Sequence, residues 1–270
     1  MRLSIRHTTR YRFDEPVVHA LQRVRLTPKA TQGQKVLEWT MQYENAAQQL
    51  QYEDQHHNTV TLVAVDEGAS EVVVECKGVV ETEDHAGVIG NHSGHLPLWS
   101  FLSFTDRTRP GPRIKEMVES IGQDGDTLAV LHALSDRIRD QVAYRIGSTR
   151  VDTTGEEAFE GGAGVCQDHS HIFIAAARLF DIPARYVSGY LMMNDRVEQD
   201  ASHAWAEAYV KGLGWVGFDI SNGISPDQRY VRVATGRDYG DASPITGISY
   251  GAVRQDLEVD IAVEQQQIEQ

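Results

Sequence analysis

Along the first third of the chain, apolar and polar residues alternate in short runs. In residues 2–13, Leu3, Ile5, Tyr11 and Phe13 interleave with arginine and serine, the pattern of a half-buried strand. Asp14-Glu-Pro16 interrupts the run, and residues 17–26 resume it before Pro28. The alternation returns over 36–43, 59–65 and 71–80, with the turn-like Asp66-Glu-Gly-Ala-Ser70 between the last two. Short strands spaced by turn residues predict a small antiparallel β domain, built as a sandwich. Cys76 lies within such a strand and is expected as a small buried apolar residue.

Residues 84–113 lose the alternation and carry His85, His92, His95 and three prolines, so they read as an irregular connection. We place a domain boundary here, with a β domain over 1–105 and a second domain over 106–270. From Asp126, a fair N-cap, Leu128, Leu131, Leu134, Ile138 and Val142 recur at helical spacing. Thr154-Gly-Glu-Glu157 has the form of a capping box and predicts a short helix through Phe159. Residues 167–180 form an alanine-rich stretch, apolar nearly all round, which predicts a buried helix stopped at Asp181-Ile-Pro183. Residues 184–193 predict a strand, and 194–200 a polar loop. Residues 202–210 and 215–220 predict a hairpin about Lys211-Gly-Leu-Gly214. Further strands are expected at 230–234 and 257–263, with a frayed tail after Glu264.

Charge narrows the choice of partners. A net charge of −14 excludes a nonspecific nucleic-acid binder, which needs a basic footprint. Residues 1–36 run against this, with eight Arg or Lys and two acids, and are expected to form a solvated strand face. No apolar run is long enough to span a bilayer, and the first residues lack a secretory apolar core. Two cysteines make no disulfide framework, so a cytoplasmic protein without a membrane partner is expected. Its oligomeric state is not legible.

The candidate chemistry centres on Gly161-Gly-Ala-Gly-Val-Cys166, where a glycine-rich loop delivers one cysteine to a helix N-terminus. Unpaired N–H groups there lower a thiol pKa, and a histidine partner lowers it further and shuttles protons. His203 and Asp219 follow in the order that a nucleophile–base–orienter triad needs. The hairpin between them sets a geometric condition. A three-residue loop, 211–213, puts His203 and Asp219 on one face as diagonal neighbours, whereas a four-residue loop separates them. The Cys166 N–H is the natural oxyanion donor, with Tyr144, Gln167 and Trp205 as further candidates for the oxyanion or substrate. Cys166-x-x-His169-x-His171 points its side chains in different directions on a helix and is not expected to hold a metal. His92-x-x-His95 is half a metal site, set aside because no carboxylate or cysteine lies near it in sequence. No metal and no cofactor are expected.

Four motifs, in order, carry a resemblance: Gly164-Val-Cys-Gln-Asp-His169, Ile182-Pro-Ala-Arg-Tyr-Val-Ser-Gly-Tyr190, Ser202-His-Ala-Trp-Ala-Glu207 and Gly214-Trp-Val-Gly-Phe-Asp219. Together they resemble the bacterial branch of the transglutaminase-like superfamily. Ile5-Arg-His-Thr-Thr-Arg-Tyr11, Glu15-Pro-Val17 and Arg25-Leu-Thr-Pro28 resemble the β region that precedes this core in bacterial members. The resemblance implies an α+β fold: a papain-like core, its cysteine helix packed on an antiparallel sheet, preceded by a small antiparallel β-sandwich. It also implies Cys166 as nucleophile, His203 as base and Asp219 as its partner. Ile220-Ser221 departs from the proline that many relatives carry after the aspartate. The expected activity is a cysteine-dependent hydrolase, a protease, isopeptidase or amidase working through a thioester on a peptide or protein substrate. The alternatives are a glutamine–amine crosslinking acyltransferase and a non-catalytic binding module that keeps the fold.

Overall fold

The structure, a computed structural model, describes residues 1–122, 125–199, 201–250 and 255–266. Asp200 of the expected polar loop and the end of the expected frayed tail lie outside the described residues.

Six strands come first: β1 (Arg2–Phe13), β2 (His19–Val24), β3 (Gln34–Glu44), β4 (Ala46–Glu53), β5 (Thr59–Val65) and β6 (Glu71–Thr82). They lie in two antiparallel sheets whose facing side chains form one core, including Tyr11, Phe13, Val24, Leu26, Val63, Val72, Val74 and Cys76. This is the expected sandwich. Cys76 is buried in it, and burial pushes its thiol up to about 12. β4 was not expected, because its side chains are nearly all exposed and show no apolar alternation; its pairing with β5 alone makes it a strand. The basic residues of β1 project outward as a ladder, Arg2 on Glu81, Arg10 on Glu71 and Arg12 on Glu258, but Arg25 departs from the solvated face expected of residues 1–36, since it is buried against Asp54.

A short strand, β7 (Val88–Gly90), and a 3₁₀ turn, Leu98–Leu102, lead to the helices. These are α1 (Pro112–Ile121), α2 (Thr127–Gln141), α3 (Gly155–Gly161) and α4 (Cys166–Leu179), with the short parallel pair β8 (Ala143–Tyr144) and β9 (Ala163–Gly164) beside α4. α1 is absent from the sequence expectation. Its N-terminal residue, Gly111, provides no side-chain cap; instead the Glu156 carboxylate accepts the N–H groups of Gly111, Arg113 and Ile114 at 2.8, 2.7 and 3.2 Å. Asp126 precedes α2 as expected, but its side chain makes no capping bond. The capping box at Thr154 and Glu157 forms as read from the sequence.

The remaining elements are β10 (Ala184–Leu191), β11 (Glu198–Gln199), β12 (His203–Val210), β13 (Gly214–Phe218), β14 (Tyr230–Gly236), α5 (Tyr239–Ala242), β15 (Ile245–Tyr250) and β16 (Gln255–Gln265). The second sheet system runs β14-β10-β12-β13-β7, and α4 is buried between it and the other helices. Ala204, Ala206 and Ala208 of β12 face Ala175, Ala176 and Ala177 of α4 in this core, and small side chains on both surfaces allow a close approach. The whole is α+β.

Hydrogen bonding crosses the expected boundary at 105/106 in both directions. β16 pairs with β1, and β15 with β2, so the last strands complete the N-terminal sheets. β7 pairs with β13 and extends the second sheet. One face of β1 joins the two parts: Tyr11 and Phe13 enter the sandwich core, while Leu3 and Ile5 pack with Tyr190, Val231 and Val233.

Candidate active site

Cys166 occupies the first position of α4, where helix geometry leaves the backbone N–H without an intrahelical partner. The turn before it is held by Asp168. Its Oδ2 accepts the Val165 N–H at 2.8 Å and the Thr149 hydroxyl at 2.6 Å. Gly164 is required at this turn, since a Cβ there would sit 2.7 Å from the Cβ of Asp168. Burial raises the Asp168 carboxyl above its ordinary value, against the lowering influence of those two donors.

The hairpin of β12 and β13 pairs Val210 with Gly214 and Ala206 with Phe218, leaving a three-residue loop. This is the register that the triad geometry demanded. His203 Nε2 donates to Asp219 Oδ2 at 2.6 Å. With Nε2 committed to Asp219, Nδ1 is the imidazole nitrogen left for Cys166, whose charge also acts on this ring. Burial alone lowers the pKa of His203, but the hydrogen bonds and charges of Asp219 and Cys166 outweigh it and push it up to about 10. Burial likewise raises Asp219, and His203, Asn222 and Tyr230 more than offset that, holding the carboxyl below its ordinary value.

Asp219 is fully engaged. Its Oδ2 also accepts Asn222 Nδ2 at 2.7 Å and the Tyr230 hydroxyl at 2.7 Å, while Oδ1 accepts the Asn222 N–H at 3.1 Å. Neither Asn222 nor Tyr230 was singled out from the sequence. Asn222-Gly223 after the aspartate is a turn signal that could have pointed to the first. Tyr230 is brought in by strand pairing and had no local signal.

The other candidate residues separate. Tyr144 is half-exposed beside the site, its ring 6.2 Å from that of His169, and the charges of Cys166 and Asp219 add to burial in raising its hydroxyl. The Gln167 amide is spent on the Val151 carbonyl at 3.1 Å. Trp205 is wholly buried behind His203, stacked on it at 6.1 Å and edge-on to Tyr230, so it serves as wall. His169 donates from Nε2 to the Val142 carbonyl at 3.0 Å and accepts the Ser221 hydroxyl on Nδ1 at 2.8 Å. Ser221 thus ties the end of the triad strand to the cysteine helix. His171 turns away, accepting the Tyr239 N–H, so the two histidines do not converge with Cys166.

Arg185 and Arg232 clasp the Glu207 carboxylate, with bonds of 2.6 Å from each. No local pattern in the sequence marks this buried group. An open cleft of about 390 Å³ lies beside the cysteine loop, lined by Arg145, Thr149, Thr153, Glu157, Gly161 and Ala163 among others.

A cysteine on a buried helix, held against a histidine and an aspartate from an antiparallel sheet, defines a transglutaminase-like fold. Residues 115–220 match the transglutaminase-like superfamily core, and residues 3–81 match the bacterial transglutaminase-like N-terminal region. The chain belongs to this superfamily, in its bacterial two-part form. It is 27% identical over 275 residues to an uncharacterised protein of Mycobacterium leprae, covering 97% of this chain and 98% of that one. An uncharacterised Mycobacterium tuberculosis protein is 29% identical over 276 residues, covering 92% and 88%. Among solved structures, a Cytophaga hutchinsonii protein provisionally named a cysteine protease superposes with a TM-score of 0.75 at 22% identity, covering 100% and 92% of the two chains. That likeness shows the fold. Among the described residues, no helix is long and apolar enough to cross a membrane.

Proposed function

We propose that the protein is a cysteine-dependent hydrolase that cleaves an amide bond of a peptide or protein through a thioester. The observation that carries this reading is the buried His203–Asp219 hydrogen bond of 2.6 Å, with Cys166 near enough to the same imidazole to help raise its pKa. With Nε2–H held by Asp219, a proton on Nδ1 of His203 is the one available to a leaving amine.

In the first half-reaction Cys166 sulfur attacks the carbonyl carbon, and the carbonyl electron pair moves to oxygen. The backbone N–H of Cys166 stabilises that oxyanion. Collapse breaks the C–N bond as His203 delivers its proton to the departing amine. In the second, His203 takes a proton from water, the hydroxide oxygen adds to the thioester, and the C–S bond breaks to release the acid. Asp219 holds the imidazole in register and stabilises its charge throughout. Two free cysteines support the cytoplasm as the working compartment.

The test is a peptide library offered with and without a labelled primary amine, with products read by mass spectrometry. Hydrolysis that disappears in Cys166→Ser is expected. Incorporation of label at the expense of hydrolysis makes the protein a crosslinking acyltransferase instead. No Cys166-dependent product in either arm supports the non-catalytic binding module.

A further inference from the structure

The His92-x-x-His95 pair was set aside for want of a nearby carboxylate. Folding changes its partners. His92 is taken out: its Nε2 donates to the Leu96 carbonyl at 2.7 Å, and its Nδ1 accepts the Trp215 indole N–H at 3.2 Å. These bonds fasten the 91–97 loop to β13 and present His95 to the turn between β4 and β5. There the His95 and His57 rings lie 4.5 Å apart, centre to centre, and His57 Nδ1 is 2.5 Å from Glu53 Oε1. One ligand atom from each of Glu53, His57 and His95 lies within 4.8 Å of the others.

We propose that Glu53, His57 and His95 bind one divalent transition-metal ion of the zinc(II) class. Two imidazoles and a carboxylate are the donors that zinc takes, with bonds of about 2.0–2.2 Å. Bringing three donors onto one ion then requires shifts of about 1 Å, which Glu53 and His95, both exposed, accommodate by rotation.

The middle ligand is held firmly. Asp54 Oδ1 accepts the N–H groups of His56 and Asn58 at 2.8 and 3.0 Å, and the Lys29 ammonium donates to the carbonyls of His56 and His57 at 2.8 and 2.7 Å. His57 is thereby kept at φ +57°, a left-handed conformation that costs energy in a non-glycine residue. A Cβ at Gly94 would meet the His92 ring at 3.1 Å, so a larger residue there would press on the histidine that anchors this loop. An ion at this position clamps the sandwich turn to the loop that Trp215 anchors, and so links the two sheet systems away from Cys166.

The experiment uses untagged protein, stripped with a chelator, in wild-type, Cys166→Ser, His57→Ala, His95→Ala and His203→Ala forms. Zinc uptake is measured by equilibrium dialysis, and thermal unfolding is followed with and without zinc. We expect one zinc per chain in Cys166→Ser, and affinity at least about tenfold lower in both His57→Ala and His95→Ala. Zinc should raise the midpoint of wild type and leave that of His95→Ala unmoved, with Cys166 alkylation unchanged in His95→Ala as evidence of an intact fold. Binding that survives His95→Ala but is lost in His203→Ala places the ion at the cysteine site and overturns the proposal. Absence of stoichiometric uptake also overturns it. Neither outcome bears on the hydrolase reading, whose test is the Cys166-dependent product.

Discussion

Asp219 shows how much of the site one residue organises. A single carboxylate oxygen receives His203, Asn222 and Tyr230, so the imidazole is oriented by a group that is itself immobilised from two further directions. Losing the Tyr230 hydroxyl removes a hydrogen bond to a charged group, worth about 1.5–3 kcal/mol. Tyr230→Phe should therefore lower kcat roughly tenfold or more with little change in KM, since the bond acts through His203 and not on substrate. An equal rise in KM with kcat preserved would contradict that role, and steady-state kinetics on a cleaved peptide decide it. Cys166, His203 and Asp219 were legible because their residue types, order and hairpin spacing are local facts. Tyr230 was not, because its proximity comes from the pairing of β14 with β10.

Among the elements, legibility follows where the stabilising partner lies. The capping box of α3 and the apolar surface of α4 are written in consecutive residues, and both helices form where expected. α1 is capped from α3, 45 residues further along for the Gly111 contact, yet Pro112 in its first turn and Ile114, Met117, Val118 and Ile121 at helical spacing were a local signal that the sequence reading missed. β15 has no alternation to mark it and exists by pairing with β2. Three N–H groups at the start of α1 converge on the Glu156 carboxylate, which also complements the helix dipole. Glu156→Gln should cost about 1 kcal/mol in urea unfolding, with Cys166 reactivity intact. A change within error in the midpoint would mean that α1 is held by packing alone.

At the scale of the molecule, the two parts share strands and a buried seam. His7, midway along β1, bonds Tyr190 at 2.8 Å and Thr9 at 2.9 Å, and burial pulls its pKa from 6.5 down to about 4. The unfolded chain therefore binds this proton first. Its contribution to stability is complete above pH 6.5 and is lost as pH falls toward 4, by up to about 3 kcal/mol. His169 and His171, also lowered mainly by burial, act in the same direction. Urea unfolding of wild type should weaken across that window, and His7→Gln should show a shallower slope; parallel slopes would remove His7 from the acid limb. The sequence revealed the sandwich and the core separately. It did not reveal that the last strands return to the first, because antiparallel partners at opposite ends of a chain leave no local trace.

In the proposed mechanism His203, held by Asp219, activates Cys166. The most direct test is the rate of Cys166 alkylation by iodoacetamide across pH, in wild type and His203→Ala. Wild-type Cys166 should react near neutral pH at least about tenfold faster than a free thiol, and His203→Ala should return it to the free-thiol rate. A wild-type rate no faster than a free thiol, unchanged by His203→Ala, would contradict it.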